Sequence, residues 1–152
     1  MLERVAQLNA EYARAIDDDR LEDWPGFFNE PCLYTITSAE NHRLELPAGI
    51  VYADSKGMLE DRVAALREAN IVERQAYRHL VGLPALIGES DGELRAETPF
   101  LVVRIMRDGR MDLFATGRYL DVIVDEGVTL RYRKRVVVCD SARIDTLLAI
   151  PL

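Results

Sequence analysis

The sequence predicts an α+β domain in which early helices pack on a strongly curved antiparallel sheet. Three observations carry that expectation. Helical periodicity is confined to the first half of the chain, long β-rich segments fill the second, and the connections between those segments are short. Helices grouped early and strands grouped late suit an α+β arrangement better than alternating parallel α/β units.

The first helix is read from Leu2, Val5, Leu8, Tyr12 and Ile16, whose spacing of three and four puts them on one stripe. The acidic run Asp17–Asp18–Asp19 is a poor continuation at the negative end of a helix dipole, and Asp18 or Asp19 suits the N-cap of a following helix. That second helix is LEDWPGFF, with Pro25 tolerated only near a helix start or else causing a break, and with Trp24, Phe27 and Phe28 directed to the core.

CLYTITS is β-branched and aromatic and is bounded by Pro31, so it reads as a strand. A loop is expected from Ala39 to Gly49, then a short strand at IVYA. Asp54 or Ser55 caps a helix that carries Leu59, Val63, Leu66 and Ala69 at helical spacing.

YRHLVGLPALIG, AETPFLVVRIMRDG, RMDLFATGRYLDVIV and VTLRYRKRVVVCD are four β-rich segments. Turn signals at Glu89–Gly92, Asp108–Gly109 and Asp125–Gly127 separate them and imply antiparallel neighbours. In the last segment Arg131, Arg133 and Arg135 alternate with Leu130, Tyr132 and Lys134, which predicts a solvated or partner-facing surface near its start. No repeat or linker divides residues 1–152, and a single domain is expected.

Composition narrows the function. Nineteen basic against 26 acidic residues leave a net charge of −7, which repels a phosphate backbone and argues against nucleic-acid binding. No stretch approaches the length needed to cross a bilayer, and the first residues lack the apolar core of an export signal, so a cytoplasmic protein with no membrane partner is expected. Cys32 and Cys139 then read as buried free thiols.

Metal and nucleophile signatures are missing at the level of spacing. There is no C-x-x-C or H-E-x-x-H, and the two Cys and two His do not lie two or three residues apart as a Rieske cluster requires. His42, His79 and an acid make the arithmetic of a two-histidine iron site, but His42 sits in a polar stretch and reads as solvated. Cys32 or Cys139 with His79 forms no local nucleophile signature. No nucleotide-binding glycine loop is present.

One catalytic reading survives. A sheet curved over helices encloses a conical interior, where a buried Asp can act as base beside Tyr or His donors. Tyr34, Tyr77, His79, Tyr119 and Asp121 are the strand residues that could line it, with His79, Asp121 and Tyr34 as its catalytic candidates. The competing reading makes each a satisfied structural group.

AGIVYADSKGMLEDRVAALREANIVERQAYRHLVGLP, TPFLVVRIM, FATGRYLD and VVVCDSARIDTLLAIPL together resemble the small (beta) subunit of aromatic-ring-hydroxylating dioxygenases. The resemblance covers nearly the whole chain. It implies a cystatin-like, nuclear-transport-factor-2-like fold and a noncatalytic structural role in an oxygenase acting on an aromatic carboxylate. It also implies an alpha-subunit partner in a three-plus-three assembly with beta–beta trimer contacts, and a reductase acting indirectly. No cofactor is implied for this chain; the Rieske [2Fe–2S] cluster and the mononuclear Fe(II) would belong to the alpha subunit. Arg78–His79 resembles an Arg–His pair of these small subunits, so His79 is expected to be scaffold, with Arg74, Tyr77, Arg78 and His79 as interface candidates.

Overall fold

A computed structural model describes residues 1–46, 49–69, 76–141 and 150–152. Helix α1 (Leu2–Asp17) leads into a 3-10 helix, η1 (Leu21–Phe27), and strand β1 (Phe28–Ser38). Next come α2 (Ala39–Arg43), β2 (Val51–Ala53) and α3 (Lys56–Glu68). The second half is β3 (Ala76–Val81), β4 (Ala85–Ser90), β5 (Glu93–Ile105), β6 (Met111–Asp125) and β7 (Leu130–Cys139).

The strands form one sheet in the order β2-β1-β7-β6-β5-β3, with β4 also paired to β5. The late hairpins are antiparallel, as their short turns require, and Gly92, Gly109 and Gly127 take positive φ in those turns. The sheet is not wholly antiparallel: β1 returns beside β7 in parallel. That pairing joins the two halves of the chain, because α2, β2 and α3 lie between β1 and the late strands in sequence.

Helix α1 packs Val5, Leu8, Tyr12 and Ile16 into the core as its periodicity predicts, whereas Leu2 stays 40% exposed. Ser55 caps α3, its Oγ accepting from the Met58 N–H at 3.2 Å. Leu59 and Val63 of α3 are buried and Leu66 packs against the core.

Several expectations need correction. Neither Asp18 nor Asp19 caps η1; its N-cap is Arg20 without a side-chain bond, and Asp19 adopts φ 59. The segment after the turn is a 3-10 helix with Pro25 inside it, and Phe28 already begins β1. The loop predicted from Ala39 contains α2, which Ser38 caps through Oγ and the Asn41 N–H. YRHLVGLPALIG is two strands, not one, interrupted between Val81 and Ala85.

The most consequential correction concerns β7. Its register against β6 shifts between the Ile123–Tyr132 and Val122–Lys134 pairs, so one residue of β7 is extra. A bulge reverses which face the following side chains take. Arg135 therefore points inward and is fully buried instead of sharing the exposed face of Arg133.

Candidate functional site

The interior of the cone, between the sheet and α1, is polar at its centre. Two α1 residues eight positions apart, Asn9 and Asp17, reach it about 12 Å from each other along the helix. Strands β6 and β7 contribute Asp121 and Arg135, which their pairing places directly opposite one another.

Arg135 donates from Nε and Nη2 to the two carboxylate oxygens of Asp121, both at 2.8 Å, with both side chains fully buried. Nη2 also donates to Asn9 Oδ1 at 2.7 Å, and that oxygen accepts from the Tyr132 hydroxyl at 2.5 Å. Asn9 Nδ2 donates onward to Thr98 Oγ1 at 3.2 Å. The guanidinium carbon lies 3.7, 4.0 and 4.4 Å from the ring centres of Tyr119, Tyr132 and Tyr12, so three aromatic faces replace its water.

Burial pushes the Asp121 carboxyl up from the ordinary aspartate range, and the charge and hydrogen bonds of Arg135 oppose that push. Burial, the largest single influence, pushes Arg135 down, but Asp121 together with the surrounding Tyr132 and Tyr12 oxygens holds the guanidinium well above its usual value. The bidentate geometry is that of an ion pair, and Asp121 has both oxygens committed to Arg135. Burial also holds the Tyr34, Tyr119 and Tyr132 phenols well above their ordinary value, so they are neutral hydroxyls.

A second tie joins α1, η1 and β1 to the last residue described. The Leu152 backbone carbonyl accepts from Tyr12 at 2.8 Å and Tyr34 at 2.9 Å, and the Leu152 N–H donates to the Tyr34 oxygen at 3.1 Å. Trp24 Nε1 donates to the Tyr12 hydroxyl at 3.1 Å. The Leu152 side chain is wholly buried in the same core cluster, filling space between these aromatics.

His79 lies further along the interior. Its Nδ1 is 2.6 Å from Asp17 Oδ1 and its backbone N–H donates to Asp17 Oδ2 at 2.8 Å, with both side chains almost completely buried. A proton on Nδ1 gives that contact its donor. Nε2 of His79 and the hydroxyl of Tyr119 are buried without a hydrogen-bond partner.

All five cavity candidates thus face inward, but the structure distributes them. Asp121 belongs to the Arg135 network, Tyr34 to the Leu152 tie, and His79 to Asp17. Tyr77 packs its ring against Phe114, and Tyr119 stacks on Phe100.

The interface set splits by the two-residue period of β3. Tyr77 and His79 are 3% and 6% exposed, while Arg78 faces out. Arg74 lies outside the described residues. Asn9, Asp17 and Arg135 are the interior polar residues that periodicity did not single out. An apolar stripe hides an Asn beside it, and nothing local signals the bulge before Arg135.

Among the described residues no three His, Cys, Asp or Glu side chains stand together as a metal-ligand set. Cys32 and Cys139 are buried free thiols, and burial pushes the Cys139 thiol up to about 12. No described helix is long and apolar enough to cross a membrane.

A bent sheet closed over an N-terminal helix around such an interior defines an α+β domain of the nuclear-transport-factor-2-like class. The family model described as ring hydroxylating beta subunit matches residues 11–146, and the chain belongs to that family. It is 49% identical over 149 residues to the terminal oxygenase component subunit beta 2 of terephthalate 1,2-dioxygenase from Comamonas sp, covering 98% of this chain and 97% of that one. The small subunit of anthranilate 1,2-dioxygenase from Burkholderia cepacia is 40% identical over 97% of this chain and 92% of its own length. A crystal structure assigned to the beta subunit of an aromatic-ring-hydroxylating dioxygenase from Novosphingobium aromaticivorans superposes with a TM-score of 0.92 at 40% identity, covering 99% and 96% of the two chains.

Proposed function

We propose that this chain is a noncatalytic structural subunit of a Rieske non-haem iron oxygenase that cis-dihydroxylates an aromatic carboxylate of the terephthalate kind. It assembles in the cytoplasm with an alpha subunit, three of each, and makes beta–beta contacts in that assembly. The Rieske [2Fe–2S] cluster and the mononuclear Fe(II) lie in the alpha subunit, and a reductase supplies it with electrons from NAD(P)H. The single observation carrying the noncatalytic reading is the bidentate Asp121–Arg135 pair. The strongest general-base candidate is held at both oxygens by a fully buried guanidinium, which stabilises its charged form and so weakens it as a base.

The test is expression of the chain alone and beside its alpha subunit. Alone it is expected to be colourless and without turnover, and together the two are expected to purify as one iron-containing complex with dioxygenase activity. Turnover of a ketone or hydroxy substrate by the lone chain overturns the reading.

One observation favours a second reading, a stand-alone isomerase or dehydratase. Asp17 orients His79 through Nδ1 while Nε2 has no partner, which is the arrangement of an imidazole base. His79→Gln separates the two readings: it abolishes the lone chain's activity in the second and leaves turnover of the assembled oxygenase intact in the first.

A further inference from the structure

β3 ends the strand order β2-β1-β7-β6-β5-β3, so among the described residues no strand lies beyond it. Two hydrogen bonds show which backbone groups point to that edge. The Gly82 N–H donates to the Pro99 carbonyl of β5 at 2.9 Å, whereas the His79 N–H donates to Asp17 Oδ2 at 2.8 Å. Residues of an antiparallel ladder alternate between bonding the partner strand and turning away from it, so Tyr77, His79 and Val81 direct their backbone groups outward, with His79 in the middle.

Such an edge invites a further strand. β3 has six residues and no proline, and Leu80 and the following Leu83 are 59% and 73% exposed. Outward backbone groups beside exposed apolar side chains are a template for pairing with another chain. A second copy of β3 suits it: antiparallel pairing centred on His79 sets each Arg78 opposite Leu80 and each Tyr77 opposite Val81, so no like charges meet across the pair. One contact stands in the way. Asp17 ends α1, where a carboxylate opposes the helix dipole, and there its Oδ2 takes the His79 N–H while its Oδ1 holds the ring of the same residue.

We infer that Asp17 is a plug in the edge of the sheet: its carboxylate stands where the carbonyl of an added strand would accept, and so keeps β3 of one copy from pairing with β3 of another. The contact is autoinhibitory. An incoming strand has to displace a charge-assisted hydrogen bond at the middle of the three outward residues, and no run of paired groups can form across it. The cost of an acidic residue at the end of α1 is offset by the two bonds it makes to His79. The plug acts whether or not the chain is an oxygenase subunit, so the inference does not rest on the proposed function.

Three variants of the full chain test it. Asp17→Ala opens the edge. His79→Ala loses the ring contact but keeps its backbone N–H on Asp17, so it is destabilised with the edge still closed. Asp17→Ala/Leu80→Lys opens the edge but sets each new lysine opposite Arg78 in the His79-centred pairing, where like charges repel. Light scattering at matched concentration is expected to find Asp17→Ala at no less than twice the wild-type mass, and His79→Ala and the double variant at the wild-type mass. Circular dichroism verifies that each variant folds; if Asp17→Ala does not, Asp17→Ser, with a side chain too short to span the same gap, carries the same expectation. An open-edge variant that keeps the wild-type mass up to millimolar concentration overturns the inference. So does His79→Ala that associates to the same extent, since lost stability is then the cause, and so does a double variant that still associates, since the pairing then lies elsewhere.

Discussion

Asp17, the last residue of α1, grips His79 of β3 twice: one carboxylate oxygen takes the backbone N–H and the other contacts ring Nδ1. The pair spans 62 residues of sequence and pins α1 to β3, the strand that follows α3. Arg78, with its guanidinium 4.0 Å from the same carboxylate but mostly exposed, adds little to that grip.

Replacing His79 by Ala removes a charge-assisted hydrogen bond and leaves a void, at a cost of about 2–3 kcal/mol. Asp17→Asn retains one acceptor and costs less. Urea midpoints of the purified chain measure both. The assembled oxygenase is expected to keep its turnover per complex in either variant; a loss of turnover with stability and assembly intact would assign His79 a chemical task.

The Asp121–Arg135 pair is predicted to behave as a unit. Asp121→Asn leaves a buried guanidinium without its counter-charge and destabilises by about 3–5 kcal/mol. The double variant Asp121→Leu/Arg135→Met recovers most of that loss, because neither chain then needs a partner. Chemical denaturation of Asp121→Leu, Arg135→Met and their double variant completes the cycle, and strict additivity would show that the residues do not act through each other.

Arg67 of α3 binds both oxygens of Glu22, and also Asp19 through its side chain and carbonyl, tying α3 to the corner after α1. The side-chain hydrogen bond from Arg67 lowers the Glu22 carboxyl to about 2, below its ordinary 4.5. A carboxyl depressed in the folded state contributes its stability above about pH 4.5, and that contribution is lost as pH falls toward 2. Wild type should therefore exceed Arg67→Met in unfolding free energy from urea titration at pH 6, by less than about 1 kcal/mol given the exposure of the pair, and most of the gap should close by pH 2.

Gly117 of β6 sits directly against the β7 backbone. A Cβ there would lie 2.0 Å from the Val138 carbonyl oxygen and 2.9 Å from its carbon, both parts of the neighbouring backbone. Gly117→Ala is expected to cost about 3 kcal/mol or more by forcing the strands apart. Soluble yield and thermal midpoint report it; a variant as stable as wild type would mean that the strands can separate freely at this pair.

Much of the architecture was legible because amphipathic period is a local property. Val5, Leu8, Tyr12 and Ile16 announce a helix wherever they occur, Ser55 announces its cap, and the glycines at 92, 109 and 127 announce turns. Tyr34, His79 and Asp121 read as strand residues that could line the interior, and all three are buried. Alternation was applied to the last strand. It failed at Arg135 because a one-residue bulge inverts alternation without altering composition. It failed again at α2, where five residues are too few to show a helical period.

The order of residues by itself determined which segments become helix or strand, which side chains turn away from water, and the family resemblance. Only the tertiary structure decided that Asp121 is neutralised by Arg135, that Asp17 holds His79, and that Leu152 occupies the space among Tyr12, Tyr34 and Trp24. The physical reason is distance along the chain. Burial preferences act within a turn or a pleat, whereas the partner that makes a buried charge or hydroxyl inert arrives from residues tens of positions away, set by strand register and bulges that no local pattern encodes.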